Sequence, residues 1–515
     1  MKRRIDPALI VLALALVAGA YFRFWDLTSQ SLFLDEGYTF MVAAKPWQQM
    51  IDAIVFHDFH PPLFYALTHD AIGWLHWQVW DYRYLTAPFG MITIVASWAI
   101  ARRLFGDVAA SIVAVLVAVE PSLIQWDRLY RMYSVMTAIA ALSWWLLLVA
   151  QASGGARRTW AWIAYGATAI VAPYIHYLGA VNVLCQGLYA LTDARKRWPV
   201  FAFGAASVLA LIPWAWAIRI QYPNGGHVAG TADLPIYWQS LARDTMLSGL
   251  PQAWAGSAFM DWAIAIVVVG ASAIAIWRWP KSILPYWLAV GAVQVLATVA
   301  TGKALVIPRY LLPVVPAITI AVGAVTAWLL SSKARVAGAI AAVGIPALFI
   351  VCSANIVWDP YYQFPDWYLV NLVVLQNEKP SDAMLFVQGF PYVVVGDFTA
   401  FRKHDAAGPS MPEDMPYTFR WLHKHAGVRV WYIENQYFYP DPHKRLKAYL
   451  DGHRKPVVLP SGRTAIWSEA RASAGDVVNV ILYDKETAKR NGAPKPAVPR
   501  VTSAKSRLER ASVGH

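Results

Sequence analysis

Two adjacent carboxylates, Asp35 and Glu36, stand just after the first long apolar run of the sequence. An ionised group near the edge of a bilayer is costly to keep there, so it is by default a candidate for binding or catalysis. The alternative is that the two acids only begin a surface helix, because acidic side chains stabilise the first helical turn. These residues alone favour neither interpretation.

A second polar cluster comprises His57, Asp58 and His60, and it runs directly into Pro61 and Pro62. The two prolines restrict the backbone to extended geometry, so rigid backbone rather than a helix face aims the His60 ring. Imidazole and carboxylate groups together can bind a divalent metal. The alternative, which we favour, is a stiff connector whose polar groups hydrogen-bond to neighbouring loops.

Several lysine and arginine residues lie in connections that are predicted to be on the same side of the membrane as Asp35 and His60. If the segment from Asp127 onward is helical, Asp127 and Arg131 lie four residues apart and can pair, which leaves Arg128 facing elsewhere. A guanidinium at the membrane surface suits a phosphate, although snorkelling to lipid headgroups is the simpler interpretation for one arginine. Lys303 and Arg309 lie on the side where cations are disfavoured, which predicts a role in anion binding.

The elements that position these residues are predicted to be membrane-spanning helices. Of the 515 residues 58% are hydrophobic and only 15% are charged, which is unlike a soluble enzyme. Cys185 and Cys352 both lie in predicted spans and indicate apolar packing, not a disulfide framework. About eleven spans are predicted near residues 7–25, 83–101, 108–125, 132–151, 159–176, 178–193, 199–218, 259–279, 283–300, 308–330 and 336–354.

Lysine and arginine clusters fall on alternate connections, all on one side, which the positive-inside rule makes cytoplasmic. The N-terminus is then cytoplasmic, while the loop 26–82 and the C-terminal region are extracytoplasmic. A cleavable signal peptide is the alternative for the first apolar run, but further spans follow it. The net charge of +13 is explained by these connections and a basic tail, so it indicates lipid headgroups and no nucleic acid.

From residue 355 the apolar runs shorten and charged residues return. Residues 1–354 therefore form the predicted membrane domain, and 355–484 a small soluble α/β domain. Its strands are predicted at 384–387, 392–395, 428–433 and 477–483, with helices around 413–425 and 441–451. Residues 485–515 lack apolar periodicity and are predicted to be a disordered basic tail.

Five short motifs, in this order, resemble the bacterial branch of the protein mannosyltransferase and aminoarabinose transferase superfamily, which has the GT-C fold. They are Leu34-Asp35-Glu36-Gly37-Tyr38, Asp58 with His60-Pro61-Pro62-Leu63 and Tyr65, Arg131-Met132-Tyr133, His176-Tyr177, and Pro308-Arg309-Tyr310-Leu311-Leu312-Pro313. The resemblance covers roughly residues 5–330. One departure is Leu129, which stands where family members often carry an acidic residue two positions before Arg131; Glu120 and Asp127 are the nearest carboxylates.

The resemblance implies an inverting glycosyltransferase of the bacterial inner membrane. It would move a sugar from a polyprenyl-phosphate donor to a hydroxyl of lipid A, a cell-envelope glycan or a protein, on the extracytoplasmic face. Asp35 would be the general base, and Glu36 would orient acceptor or sugar hydroxyls. Arg131, Lys303 and Arg309 would bind the donor phosphate. The substrate-binding residues would be Asp58, His60, Tyr133, His176 and Tyr310. Whether a divalent metal also takes part is left open.

Two other function classes are compatible with the sequence. A transporter or flippase of a lipid-linked or anionic solute would also need many spans, but it would place polar groups along a path through the bilayer. Here the charged residues cluster at one face. A scaffold or receptor whose outer domain binds a partner is the other alternative, and it would have no use for Asp35, His60 and Arg309 together.

Overall fold

The structure is a computed structural model of the whole chain. It describes residues 6–30, 32–192, 197–225, 241–251, 253–254, 257–301, 306–359, 362, 367–387, 405–409, 414–434, 441, 443–460, 466–469 and 477–486. The described residues up to 362 belong to one compact unit, and those from Trp367 onward to a second.

The first unit is helical. Its helices, in chain order, are α1 Pro7–Phe24, α2 Leu34–Ala43, α3 Trp47–His57, α4 Leu63–Leu75, α5 Arg83–Phe105, α6 Asp107–Val119, α7 Pro121–Asp127, α8 Met132–Ala152, α9 Gly155–Ile175, α10 Leu178–Ala190, α11 Arg197–Leu211, α12 Ala215–Gly225, α13 Ala258–Arg278, α14 Leu284–Thr301, α15 Val315–Leu330 and α16 Arg335–Trp358. Three 3₁₀ turns, Val79–Tyr82, Ile212–Trp214 and Pro308–Val314, precede α5, α12 and α15. The helix α16 continues past the predicted domain boundary at 354.

Seven of the described helical segments are long and apolar enough to cross a membrane: Pro7–Phe24, Val79–Phe105, Met132–Ala152, Arg197–Tyr222, Ala258–Arg278, Pro308–Leu330 and Arg335–Trp358. An eighth crossing results if α6 and α7, which meet at a bend of 50°, form one broken span. Helices also occupy the predicted spans near 159–176, 178–193 and 283–300, but α10 and α14 are shorter. The chain is a multi-pass membrane protein, and the count of eleven spans stays a prediction.

The long loop after α1 is built from the short helices α2, α3 and α4. Val42, Ile54 and Tyr65, one from each helix, are fully buried in a cluster that also contains Trp214 next to α12. Burying these apolar side chains fixes the loop against the helical bundle, since each is worth about 1.5–3 kcal/mol. The predicted interfacial side chain Trp74 lies near the end of α4 and is 84% exposed.

A buried ion pair joins α1 to the end of α7. Arg23 Nε donates to Asp127 Oδ2 at 2.7 Å, and Ser134 donates to the other carboxylate oxygen at 2.6 Å. A side chain at Gly90 would clash, because its Cβ would lie 2.3 Å from Arg23 Nε. The predicted pairing of Asp127 with Arg131 is therefore wrong: α7 ends at Asp127, so the two residues do not share a helix.

Arg128 follows directly after α7 and caps α1 instead of facing a ligand. Its Nη1 donates to the backbone oxygens of Phe22, at 3.0 Å, and Trp25, at 2.8 Å. Phe22 lies in the last turn of α1 and Trp25 directly follows the helix, where backbone carbonyls lack N–H partners within the helix. The arginine thus holds the 128–131 turn against the end of α1.

The second unit contains α17 Trp367–Asn377, α18 Met415–Lys424 and α19 Arg445–His453, with strands β1 Ala383–Val387, β2 Asp405–Ala407, β3 Val430–Glu434, β4 Ile466–Glu469 and β5 Val477–Tyr483. The strand order is β2-β1-β3-β5-β4; β1 is parallel to β2 and β3, whereas β5 is antiparallel to β3 and β4. Three predicted strands and both predicted helices are confirmed. The predicted strand 392–395 and the tail beyond residue 486 lie outside the described residues.

Candidate active site

Glu36 is completely buried and joins three segments of the chain. Its Oε2 accepts the Phe33 N–H at 2.8 Å, which closes the first turn of α2. Arg83 makes two parallel charge-assisted hydrogen bonds to the carboxylate, at 2.8 and 2.7 Å. Oε1 also accepts the Tyr130 N–H at 2.7 Å. The carboxylate therefore ties α2 and α5 to the 128–131 turn, and its oxygens are occupied by protein donors.

Arg83 extends this connection to the chain before α2. Its Nη1 donates to the backbone oxygens of Leu27, at 3.1 Å, and Gln30, at 2.9 Å. Beside it, Thr86 on α5 donates to the Leu129 oxygen at 3.0 Å. Nothing in the sequence reasoning singled out Arg83. The same signal that marked Lys303 and Arg309, a cation at the outer end of a predicted span, would have found it.

Asp35, the neighbour of Glu36, has an open environment. Its side chain is 28% exposed, and Oδ2 lies 3.8 Å from Arg309 Nη1, which is too long for a hydrogen bond. The Asp35 backbone oxygen accepts a hydrogen bond from Arg131 Nη1 at 3.1 Å. Arg131 is buried and also donates to Thr39 Oγ1 at 2.5 Å. The turn that Glu36 holds thus places Arg131 beside the helix that bears Asp35.

Arg309 begins the 3₁₀ turn before α15 and is surrounded by aromatic rings. Its guanidinium carbon lies 5.9 Å from the ring centre of Trp126, 6.0 Å from that of Tyr133 and 5.9 Å from that of Tyr310. The rings exclude water on these sides and attract the cation. Arg131 contacts Tyr133 in the same way, at 5.9 Å. Two predicted phosphate-binding arginines therefore share one aromatic wall.

Asp58 and His60 form a buried dyad. Asp58 Oδ1 accepts hydrogen bonds from the His60 ring Nδ1 at 2.8 Å and from the Phe59 N–H at 2.6 Å, and Oδ2 accepts the Tyr65 hydroxyl at 2.5 Å. Burial alone would raise the pKa of the Asp58 carboxyl, but His60 and these hydrogen bonds lower it to about 2. Asp58 is therefore ionised at neutral pH, and His60 Nδ1 is a donor.

His176 brings a second imidazole to the same place. Its ring centre lies 5.6 Å from that of His60, 5.8 Å from Tyr133 and 5.2 Å from Tyr310. The ring is neutral, and because its Nδ1 accepts the Leu178 N–H at 3.2 Å, its Nε2 carries the proton.

Five buried polar atoms in this cluster have no partner among the described residues. They are His60 Nε2, His176 Nε2, Arg131 Nε, Arg309 Nε and Tyr133 Oη. Buried polar groups are nearly always hydrogen-bonded, so a group of unsatisfied polar atoms indicates a ligand-binding place. The structure brings all predicted site residues together except Lys303, which lies outside the described residues, so its predicted role stays a prediction.

The metal hypothesis does not fit the donor set. His57 ends α3 exposed to solvent, whereas Asp58 and His60 turn inward. The Asp58 oxygens are occupied by three protein donors, and the Asp35 carboxylate lies 3.8 Å from the Arg309 guanidinium. Across the described ranges no group of three or more His, Cys, Asp or Glu side chains could hold a metal ion.

Leu129 stands where the resemblance predicts an acidic residue. The two nearest carboxylates, Glu120 and Asp127, have partners elsewhere. Asp127 pairs with Arg23, and Glu120 caps α7 by accepting the Leu123 N–H at 2.5 Å. Asp127 is therefore not free to replace the missing acid, whereas Glu120 Oε1 is buried and has no partner among the described residues. The second carboxylate of the cluster is Asp58, which acts on His60.

Residues 60–217 match the family described as dolichyl-phosphate-mannose-protein mannosyltransferase. The fold is similar to that of ArnT from Cupriavidus metallidurans bound to undecaprenyl phosphate, with a TM-score of 0.54 and 14% identity over 95% of this chain and 99% of that one. It is also similar to the oligosaccharyltransferase AglB from Archaeoglobus fulgidus, in complex with an inhibitory peptide and a dolichol-phosphate, with a TM-score of 0.50 and 12% identity over 88% and 73% of the two chains. No curated protein sequence matches. The expected GT-C fold is confirmed.

Proposed function

We propose that this GT-C membrane protein, similar to mannosyltransferases and aminoarabinose transferases, is an inverting glycosyltransferase that takes its sugar from a polyprenyl-phosphate lipid. The observation that carries the proposal is the open carboxylate of Asp35 next to the guanidinium groups of Arg131 and Arg309, each of which has a buried Nε with no partner among the described residues. Arg131 and Arg309 suit a lipid phosphate, because a guanidinium offers parallel hydrogen bonds to its oxygens. The family match and the similar structures support a lipid-linked donor.

In the proposed reaction Asp35 accepts the proton of the attacking hydroxyl as its oxygen bonds to the anomeric carbon. The bond from that carbon to the phosphate oxygen breaks, and its electron pair stays on the phosphate. Negative charge therefore leaves Asp35 and increases on the leaving group. Arg309 stabilises the developing charge, since its guanidinium lies 3.8 Å from Asp35 and beside the aromatic ring of Trp126.

Glu36 has a positioning role in this account, in place of the predicted contact with a hydroxyl. Both its oxygens accept protein hydrogen bonds, and those bonds set the distance between α2 and the turn that bears Arg131. His60, His176, Tyr133 and Tyr310 complete the wall against which the phosphate and the sugar bind. None of the similarities supports the alternative of a transporter or flippase.

The proposed orientation places the site on the extracytoplasmic face of the bacterial inner membrane, with the N-terminus cytoplasmic. This follows from the lysine and arginine clusters in the opposite connections. The acceptor would be a hydroxyl of a lipid, a glycan or a protein.

The test is release of free polyprenyl phosphate by purified protein in nanodiscs. A panel of polyprenyl-phosphate sugars is supplied with membrane extract as the acceptor source, and the Arg131→Ala, Arg309→Ala double variant is the matched control. Release by the wild type alone supports the proposal and identifies the sugar. Absence of release with every donor contradicts it.

A further inference from the structure

The described charges of the site balance before any ligand binds. Arg131 and Arg309 contribute two positive charges, and Asp35 and Asp58 contribute two negative ones. A sugar-loaded lipid is a phosphodiester with one negative charge, whereas the spent lipid is a phosphate monoester that approaches two. Charges buried together are costly unless they are paired, so spent lipid that binds from solution, when Asp35 is ionised, would be stabilised by one more cation than loaded lipid requires.

His60 is the described group that can provide this cation. An imidazole can be neutral, with one ring nitrogen as an acceptor, or carry a positive charge with both nitrogens as donors. Asp58 accepts a hydrogen bond from Nδ1 at 2.8 Å and can stabilise an imidazolium. Nε2, on the other side of the ring, is buried and unpartnered, and the His60 residue is only 5% exposed. A proton on Nε2 would convert this atom into a charged donor towards the ligand.

The groups around the ring favour protonation only when an anion is present. Asp58 and Tyr65 lie on one side, and the neighbouring positive or polar groups come from other elements: His176 after α9, Arg131 and Tyr133 at the start of α8, Arg309 and Tyr310 before α15, and Tyr38 on α2 near Asp58. The two arginines oppose a further positive charge on His60. A bound dianion removes this opposition.

His176 cannot take the same role. Its Nδ1 is used as an acceptor by the Leu178 N–H, so a second proton would cost that hydrogen bond. Its Nε2–H is a fixed neutral donor. The two unpartnered nitrogens therefore differ: the His176 nitrogen always donates, and the His60 nitrogen donates only after it takes up a proton.

We infer that the Asp58–His60 dyad distinguishes spent lipid phosphate from sugar-loaded lipid, by taking up a proton when a phosphate monoester binds. The proton comes from solvent and resides on His60 Nε2, facing the phosphate. This inference rests on the proposed function and assigns His60 a specificity role at the same site. Release of the spent lipid then requires the proton to leave, so product retention weakens as pH rises.

The test is calorimetric titration of the full-length protein in detergent at pH 8, in two buffers with different ionisation enthalpies. The probes are farnesyl phosphate and its methyl diester. For the wild type we expect uptake of roughly one proton per monoester bound and none for the diester. In His60→Gln we expect no uptake and monoester affinity about ten- to a hundredfold weaker.

Two variants separate the charge of His60 from its shape. In His60→Lys a permanent cation should retain tight monoester binding without proton uptake. His57→Gln, at the exposed neighbouring histidine, should behave like the wild type. Uptake that persists in His60→Gln, or equal binding of both probes by the wild type without uptake, overturns the inference and leaves the proposed function intact. Binding of neither probe overturns both.

Discussion

Asp35 and Glu36 are neighbours on one helix and each lies near an arginine, yet their environments are opposite. The Glu36 carboxylate is fully buried and makes two hydrogen bonds to Arg83, at 2.8 and 2.7 Å. The Asp35 carboxylate is 28% exposed and lies 3.8 Å from Arg309. Successive residues of a helix point about 100° apart. The closed pair, Glu36 with Arg83, and the open pair, Asp35 with Arg309, therefore face different parts of the protein.

The difference indicates a division of labour between the two acids. The closed pair has no capacity for a ligand, and it fixes the 128–131 turn through the Tyr130 N–H. Among the described residues, the carboxylate of the open pair accepts no hydrogen bond, and Nε of its guanidinium has no partner. Loss of the closed pair should therefore affect stability first, and loss of the open pair should affect turnover and donor binding.

The largest stability effect is expected for Glu36→Ala. It leaves the buried Arg83 without its counter-charge and should destabilise the protein by about 3–5 kcal/mol. The measurement is unfolding by SDS in mixed micelles, with Asp35→Ala as the matched control. A stability loss in Asp35→Ala equal to that in Glu36→Ala would remove the distinction between the pairs.

Arg309→Ala tests the open pair from its cationic side. It removes charge-assisted hydrogen bonds to the lipid phosphate, each worth about 1.5–3 kcal/mol, so the apparent donor affinity should fall about ten- to a hundredfold. Arg309→Lys should retain part of this affinity, because lysine keeps the positive charge but cannot make the two parallel hydrogen bonds of a guanidinium. The check is KM for the donor; an unchanged KM in Arg309→Ala would exclude the phosphate contact.

Acidic pH should lower the free energy of unfolding by protonating Asp58. Its pKa is about 2 in the folded protein, below its ordinary value of 3.8, so the ionised form stabilises the folded state above pH 4. About 2 kcal/mol should be lost as the pH falls from 4 to 2. Unfolding measured across that range should show a shallower pH dependence in Asp58→Asn. Equal slopes for variant and wild type would contradict the assignment.

The smallest effect is expected at an exposed carboxylate–ammonium pair of the second unit. Lys447 Nζ lies 2.7 Å from Asp451 on α19, and both side chains are partly exposed. Lys447→Gln should change the free energy of unfolding by less than about 0.5 kcal/mol. A stability loss as large as that of Glu36→Ala would mean that burial does not determine how much an ion pair contributes to the free energy of unfolding.

The sequence predicted most helices and the main strands, because apolar periodicity and length determine them locally. It also placed Asp35, Arg131 and Arg309 on one side of the membrane. The pairing of Glu36 with Arg83 was not predictable in this way, since the two residues are far apart in sequence. Likewise Asp127 pairs with Arg23, and the predicted Asp127–Arg131 contact failed because the helix ends at Asp127.

Apart from Lys303, which lies outside the described residues, the predicted site residues lie together in the structure, but their types alone did not give them distinct roles. Burial separates Glu36 from Asp35, and hydrogen bonding separates His60 from His176. Both depend on long-range packing, such as the approach of the 3₁₀ turn at Arg309 to the aromatic rings of Trp126 and Tyr133. The spacing of residues along the sequence does not predict these contacts.

The central claim is tested most directly by single-turnover transfer in the Asp35→Asn variant, with donor binding measured on the same preparation. The amide is nearly isosteric but cannot accept the proton, so the transfer rate should fall by roughly 10²–10⁴. Donor binding should be at least as tight as in the wild type, because a negative charge next to the phosphate has been removed. A near-normal transfer rate in Asp35→Asn would contradict the account.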